Sequence, residues 1–107
     1  MSVDNNRMLL ELDKLRRDIN REIISPIVPA LSLDELKPML TMVANARAQY
    51  VRELLDLAKL SAGTMPAPAQ IERLRHHREA YDELVKAAHA LETVIEREYL
   101  DIKPPRR

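Results

Sequence analysis

The residues best suited to chemistry in this chain lie in one short basic segment, Arg73-Leu74-Arg75-His76-His77-Arg78. Guanidinium groups bind carboxylates and phosphates, and imidazoles bind metals or transfer protons. We therefore take five of its residues as the candidate partner-binding site: Arg73, Arg75, His76, His77 and Arg78.

Metal binding has weak support in the sequence. Glu72 with His76 and His89 with Glu92 each share a helical face, but a pair supplies only two ligands. Helical di-iron sites repeat a Glu-x-x-His motif, which does not occur here. The absence of cysteine excludes disulfides and cysteine-ligated metals. We expect no metal and no cofactor.

Catalytic groups are also scarce. The single glycine, Gly63, excludes glycine-rich phosphate-binding loops. The four serines lie at the N-terminus, before a proline, at a helix cap and at a helix end, without a recognisable base arrangement. We predict no catalytic residue and a non-enzymatic protein.

Three segments with helical periodicity must position these residues. We predict helices at about residues 5–24, 33–61 and 68–102, followed by a tail at 103–107. Asp4 or Asn5 would cap the first helix, and Pro26 would end it near Ser25. Residues 32–35 form a capping box that starts the second helix, and Gly63 provides its left-handed stop. The third starts at Pro68, and its apolar stripe continues through Tyr99 and Ile102.

These lengths predict an all-α, elongated protein with one domain over residues 1–107. A helix of about 35 residues is about 52 Å long, whereas a compact domain of this size is about 35 Å across. The six-residue turn makes the second and third helices a long antiparallel hairpin. The shorter first helix would cover only about half of the hairpin groove. We expect an antiparallel homodimer, forming a dimeric helical bundle, to bury the remaining apolar surface.

Charge placement is uneven in the third helix. Residues 71–78 carry a net charge of +2 and residues 79–101 a net charge of −5, although the chain as a whole is neutral. This order opposes the helix dipole. Three interpretations stay open: a solvated face, antiparallel pairing of two third helices, or docking of the basic segment on an anionic partner. Nucleic acid is a possible partner but is not favoured, because the net charge is zero and no basic stripe continues past Arg78 apart from the tail at residues 103–107.

A small helical enzyme remains an alternative. Leu15-Arg16-Arg17-Asp18-Ile19-Asn20 faintly resembles the first helix of helical chorismate mutases, which are dimers of three-helix chains. The resemblance covers these six residues, and Pro26 and Pro29 interrupt the chain where that family continues one long helix. An anion pocket would then use four arginines: Arg16, Arg17, Arg47 and Arg52.

Residues 1–7 are polar, so we expect no signal peptide, and the apolar runs are only a few residues long, too short to span a membrane. We therefore expect a cytoplasmic protein without membrane partners. The favoured function is a helical interaction module, such as an adaptor, a chaperone-like protein or a regulator. It would bind a protein partner through an apolar groove beside the hairpin and through the basic segment. The alternative binding function is nucleic-acid or anion binding through Arg73–Arg78.

Overall fold

A computed structural model describes residues 2–104. It contains three helices, α1 (Val3–Ile24), α2 (Leu33–Leu60) and α3 (Pro68–Glu96). Within the described residues there is no β-strand, and Leu31 and Ile102 form an isolated parallel bridge. The all-α, three-helix prediction is confirmed.

The starts of α1 and α2 are fixed by serine caps. The prediction that Asp4 or Asn5 caps α1 is wrong, because the Ser2 hydroxyl accepts the Asn5 amide at 3.1 Å and the helix begins at Val3. The predicted capping box of α2 is confirmed. The Ser32 amide donates to the Glu35 carboxylate at 3.0 Å, and the Glu35 amide donates to the Ser32 hydroxyl at 3.3 Å.

The end of α2 uses two residues with positive φ. Ala62, at φ 50°, is the first left-handed residue, and Gly63 follows at φ 81°. The Ala62 amide bonds to the Lys59 carbonyl, and the Gly63 amide bonds to the Ala58 carbonyl. This pattern is a Schellman motif. The sequence located the stop correctly, but the left-handed C′ position falls on Ala62 rather than on Gly63.

The end of α3 lies six residues earlier than predicted, at Glu96 instead of residue 102. Glu98 adopts φ 62°, its amide bonds to the Ile95 carbonyl, and the Tyr99 amide bonds to the Val94 carbonyl at 2.9 Å. This is a second Schellman motif, with glutamate where glycine is usual. It turns the chain, so that Tyr99 leaves the helical stripe, and both Tyr99 and Leu100 are buried.

The contacts within the chain divide it into two compact units. Unit 1 comprises residues 2–35 and 90–104 of the described chain, and unit 2 comprises residues 36–89. The prediction of one domain over residues 1–107 stays a prediction, and residues 105–107 of the predicted tail lie outside the described residues.

Unit 2 is an antiparallel hairpin formed by parts of α2 and α3. Its buried apolar residues are Val43, Leu57 and Ala88. The contacts run in opposite order along the two helices, because Arg47 contacts Tyr81 and the later Glu53 contacts the earlier Arg73. The predicted antiparallel hairpin is confirmed in this unit.

In unit 1, the segment that follows α3 is bonded to α1 and to the chain before α2. Arg21 of α1 donates to the Glu98 carbonyl at 2.6 Å and forms an ion pair with Asp101. The Leu31 amide donates to the Asp101 carbonyl at 3.0 Å, and the Lys103 amide donates to the Leu31 carbonyl at 2.7 Å. These bonds hold residues 98–103 against the end of α1 and the chain before α2.

The apolar stripe of α1 is not part of a core. None of the α1 residues is buried. The stripe is instead exposed to solvent, and each of the following side chains is at least 45% exposed: Met8, Leu12, Leu15, Ile19 and Ile23. Periodicity identified which residues share this face, but it could not say that the face points outward.

Candidate protein-interaction surfaces

Two residues of the basic segment face a single carboxylate on α2. Glu53 lies 3.1 Å from Arg73 Nε and 3.8 Å from His77 Nε2. The Glu53 side chain is only 18% exposed, whereas the Arg73 side chain is 72% exposed. Arg73 and His77 are four residues apart and therefore share one side of α3. On this side the basic segment is neutralised within the hairpin.

Arg75 and His76 are surrounded by acids of their own helix. Arg75 forms ion pairs with Glu72, three residues before it, and with Glu79, four residues after it. His76 Nε2 lies 3.6 Å from the Glu72 carboxylate. These pairs are exposed to solvent, so each contributes little to the stability of the fold and can exchange for another partner.

Arg78 differs from the other four candidates, because it forms no salt bridge with any residue in the 2–104 range. It lies with Arg75 at a depression of about 170 Å³ on the hairpin. The remaining lining residues are apolar or aromatic: Tyr50, Ile71 and Leu74. We call these five residues the groove.

One wall of the groove is formed by residues that recur at helical spacing along α3. Ile71, Leu74 and Arg78 recur at steps of three and four residues, and Arg75 lies one turn after Ile71. Tyr50 of α2 provides the other wall. The structure thus divides the basic segment, with Arg73 and His77 against Glu53 and with Arg75 and Arg78 on the groove.

Tyr50 is held by an aromatic contact beside the groove. Its ring centroid lies 6.0 Å from that of Tyr81, with the ring planes 35° apart. Arg47 lies over the Tyr81 ring at 5.4 Å and donates from Nε to the Tyr81 hydroxyl at 3.1 Å. The cation and the tilted ring pair restrict both tyrosines, so the Tyr50 wall has a defined position.

No protein-family model, curated protein or solved structure matches this chain. Across residues 2–104, no group of three or more histidine, aspartate and glutamate side chains could hold a metal ion. None of the three described helices is long and apolar enough to cross a membrane.

The four arginines proposed for an anion pocket each have a partner within the chain. Arg16 and Arg17 both lie 3.6 Å from the Asp13 carboxylate. Arg52 lies 3.6 Å from Asp56. Arg47 is the residue that stacks on Tyr81.

Two important residues, Glu53 and Tyr50, were not assigned to the candidate site from the sequence. The position of Glu53 could have been recognised in the sequence. It lies three residues after Tyr50 and four before Leu57, and so falls on the apolar stripe of α2. An acid at a stripe position indicates a basic partner on the facing helix. The sequence does not indicate which base of α3 occupies that place.

Proposed function

We propose that this protein is a non-enzymatic helical interaction module that binds a protein partner through the groove. The observation that carries the proposal is the arrangement of Ile71, Leu74 and Tyr50 as an apolar surface with Arg75 and Arg78 at its edge. Short apolar grooves of this kind accept side chains of a helix or an extended peptide. The two arginines would select a partner with acidic residues beside its apolar anchors.

The ion pairs favour a protein partner over nucleic acid. A phosphate backbone needs several free bases along one track, and each contact contributes to a steep dependence on salt. Here Arg73 and His77 face Glu53, so that Arg75 and Arg78 are the two bases of the segment that line the groove. A partner that buries apolar side chains in the groove needs only a few charges at its margin.

We also propose a cytoplasmic location, which fits the cysteine-free composition.

Charge reversal tests the proposal. The double variant Arg75→Glu/Arg78→Glu places two acids on the groove and should abolish capture of a defined protein on the immobilised chain. The control Arg52→Glu/Lys59→Glu makes the same charge change on exposed residues of α2 and should retain that protein. Quantitative mass spectrometry of the eluates compares the two variants. Equal capture by both variants would contradict the groove as the binding site.

The competing functions give different results with the same material. A nucleic-acid binder would elute with a high absorbance at 260 nm, and its affinity would fall steeply with salt. An enzyme with an anion pocket would unfold at a higher temperature in the presence of a saturating small anion such as phosphate. The interaction module should show neither effect.

A further inference from the structure

The exposed apolar face of α1 points away from the chain's own contacts. We define this face by four side chains that are 45% to 64% exposed: Met8, Leu12, Leu15 and Ile19. The side chains of α1 that are partly buried form a different set: Arg17, Asn20, Arg21 and Ile24. At 100° per residue the centres of the two sets lie about 160° apart. The helix thus contacts its own unit mainly through polar residues and leaves its apolar residues in solvent.

The spacing of the apolar face is that of a coiled-coil seam. Its four members follow one another at intervals of four, three and four residues, which places Leu12 and Ile19 at a positions and Met8 and Leu15 at d positions. The seam is continuous over three turns of α1. An exposed apolar surface of this kind usually marks an interface.

Charges at the two margins of the apolar face specify the occupant and its direction. In this register Glu11 and Asp18 are g positions, and Arg16 is an e position. In a parallel pair each g residue faces the e residue five positions later on the other helix, so Glu11 faces Arg16 of the second copy. In an antiparallel pair the g positions face each other, which brings Glu11 against Asp18. The margins therefore favour a second α1 in parallel orientation.

We propose that α1 is a dimerisation helix, and that its apolar face packs in parallel against α1 of a second copy of this chain. The two interchain Glu11–Arg16 pairs are related by symmetry and flank the seam. In the single chain, Glu11 lies 3.6 Å from Arg7 and Arg16 lies 3.6 Å from Asp13. Both pairs are solvent-exposed and weak, so they leave Glu11 and Arg16 available to the second copy.

Sedimentation equilibrium on the full chain provides the first test. The wild type should be a dimer, and Leu12→Gln/Leu15→Gln should be a monomer with unchanged helicity, because both leucines are exposed in the single chain. The matched control is Leu10→Gln/Leu55→Gln, which alters leucines that are 73% and 63% exposed outside the seam. This control should stay dimeric. A monomeric wild type, or a dimeric Leu12→Gln/Leu15→Gln variant, would overturn the proposal.

Introduced cysteines test the orientation without interference, because the chain has none of its own. Met8→Cys should form a disulfide-linked dimer on mild oxidation, since equivalent d positions meet in a parallel pair. Leu10→Cys, on the opposite side of the same turn, should not. An antiparallel pair would instead link a mixture of Met8→Cys and Ile19→Cys chains, and this result would refute the parallel arrangement. If the chain is a dimer but none of these cysteine pairs forms a disulfide, the interface lies elsewhere, for example between paired α3 helices. This result would equally refute the proposed α1 interface.

A charge swap tests the interchain Glu11–Arg16 pairs at the margins of the seam. Glu11→Arg and Arg16→Glu should each weaken dimerisation about tenfold, because each replaces two attractive contacts with repulsive ones. The double variant Glu11→Arg/Arg16→Glu should recover most of the wild-type affinity. Effects within one helix would add rather than cancel, since the introduced arginine would face Arg7 and the introduced glutamate would face Asp13. Recovery of the dimerisation affinity in the double variant therefore indicates pairing between the two chains. If the affinity does not recover, the assigned register is wrong.

Discussion

Glu53 of α2 and Arg73 of α3 form an ion pair across the hairpin of unit 2, with 3.1 Å between the carboxylate and Arg73 Nε. The carboxylate is largely enclosed, while the guanidinium extends into solvent. Such an asymmetric pair stabilises the fold mainly by compensating the charge of the enclosed partner. The pair therefore occupies Arg73 within the hairpin, and under the proposed function it leaves Arg73 less available to a partner than Arg78.

This asymmetry predicts that Arg73→Gln lowers the free energy of unfolding by about 1 kcal/mol, because Glu53 loses its closest cation. The matched control is Arg52→Gln, which breaks the exposed Arg52–Asp56 pair and should cost less than about 0.5 kcal/mol. Urea unfolding followed by circular dichroism compares the variants. Equal losses in both would show that the enclosure of Glu53 has no energetic consequence.

The left-handed conformation of Glu98 predicts a stabilising substitution. A residue other than glycine at φ 62° is strained, so Glu98→Gly should raise the free energy of unfolding by about 1 kcal/mol. Glu92→Gly removes the same charge from within α3 and should lower it by about 1 kcal/mol. Thermal unfolding of both variants is the measurement. A destabilised Glu98→Gly variant would contradict the role of this residue as the C′ position of α3.

The pKa of one carboxylate in unit 1, that of Glu35, is lowered. The hydrogen bond from the Ser32 amide, followed by the hydrogen bond and charge of Lys103, lowers the pKa of Glu35 from its ordinary value of 4.5. Because the folded pKa is below the unfolded one, the stability due to Glu35 is present above pH 4.5 and is lost as pH falls through the lowered pKa. Carboxyl carbon NMR should give a midpoint below 4.5 in the wild type and a higher one in Lys103→Gln. A wild-type midpoint at or above 4.5 would exclude these contacts in solution.

The sequence predicted the features that depend on local chemistry. The Ser32–Glu35 capping box, the end of α1 before Pro26 and the start of α3 at Pro68 are all confirmed, because each is determined by the conformational limits of neighbouring residues. The antiparallel hairpin followed from the shortness of the predicted turn at residues 62–67.

Features that depend on distant residues could not be predicted in this way. Nothing near Glu98 favours a left-handed residue, and Tyr99 and Ile102 continue the helical spacing, so the sequence extended α3 too far. The bend is supported by Arg21, 77 positions away, through its bond to the Glu98 carbonyl. Similarly, periodicity grouped Arg73 through Arg78 as one basic segment, whereas Glu53 of the facing helix separates it into a neutralised side and a side on the groove.

The groove is tested most directly by site-specific photo-crosslinking. A photoreactive amino acid replaces Ile71, which lines the groove, or Ala80, an exposed residue on the opposite face of α3. After irradiation in cells, the Ile71 position should give one defined protein adduct, which the added Arg75→Glu/Arg78→Glu change removes, and the Ala80 position should not give it. The same adducts from both positions, or an Ile71 adduct that survives the charge reversal, would contradict the groove as the partner-binding site.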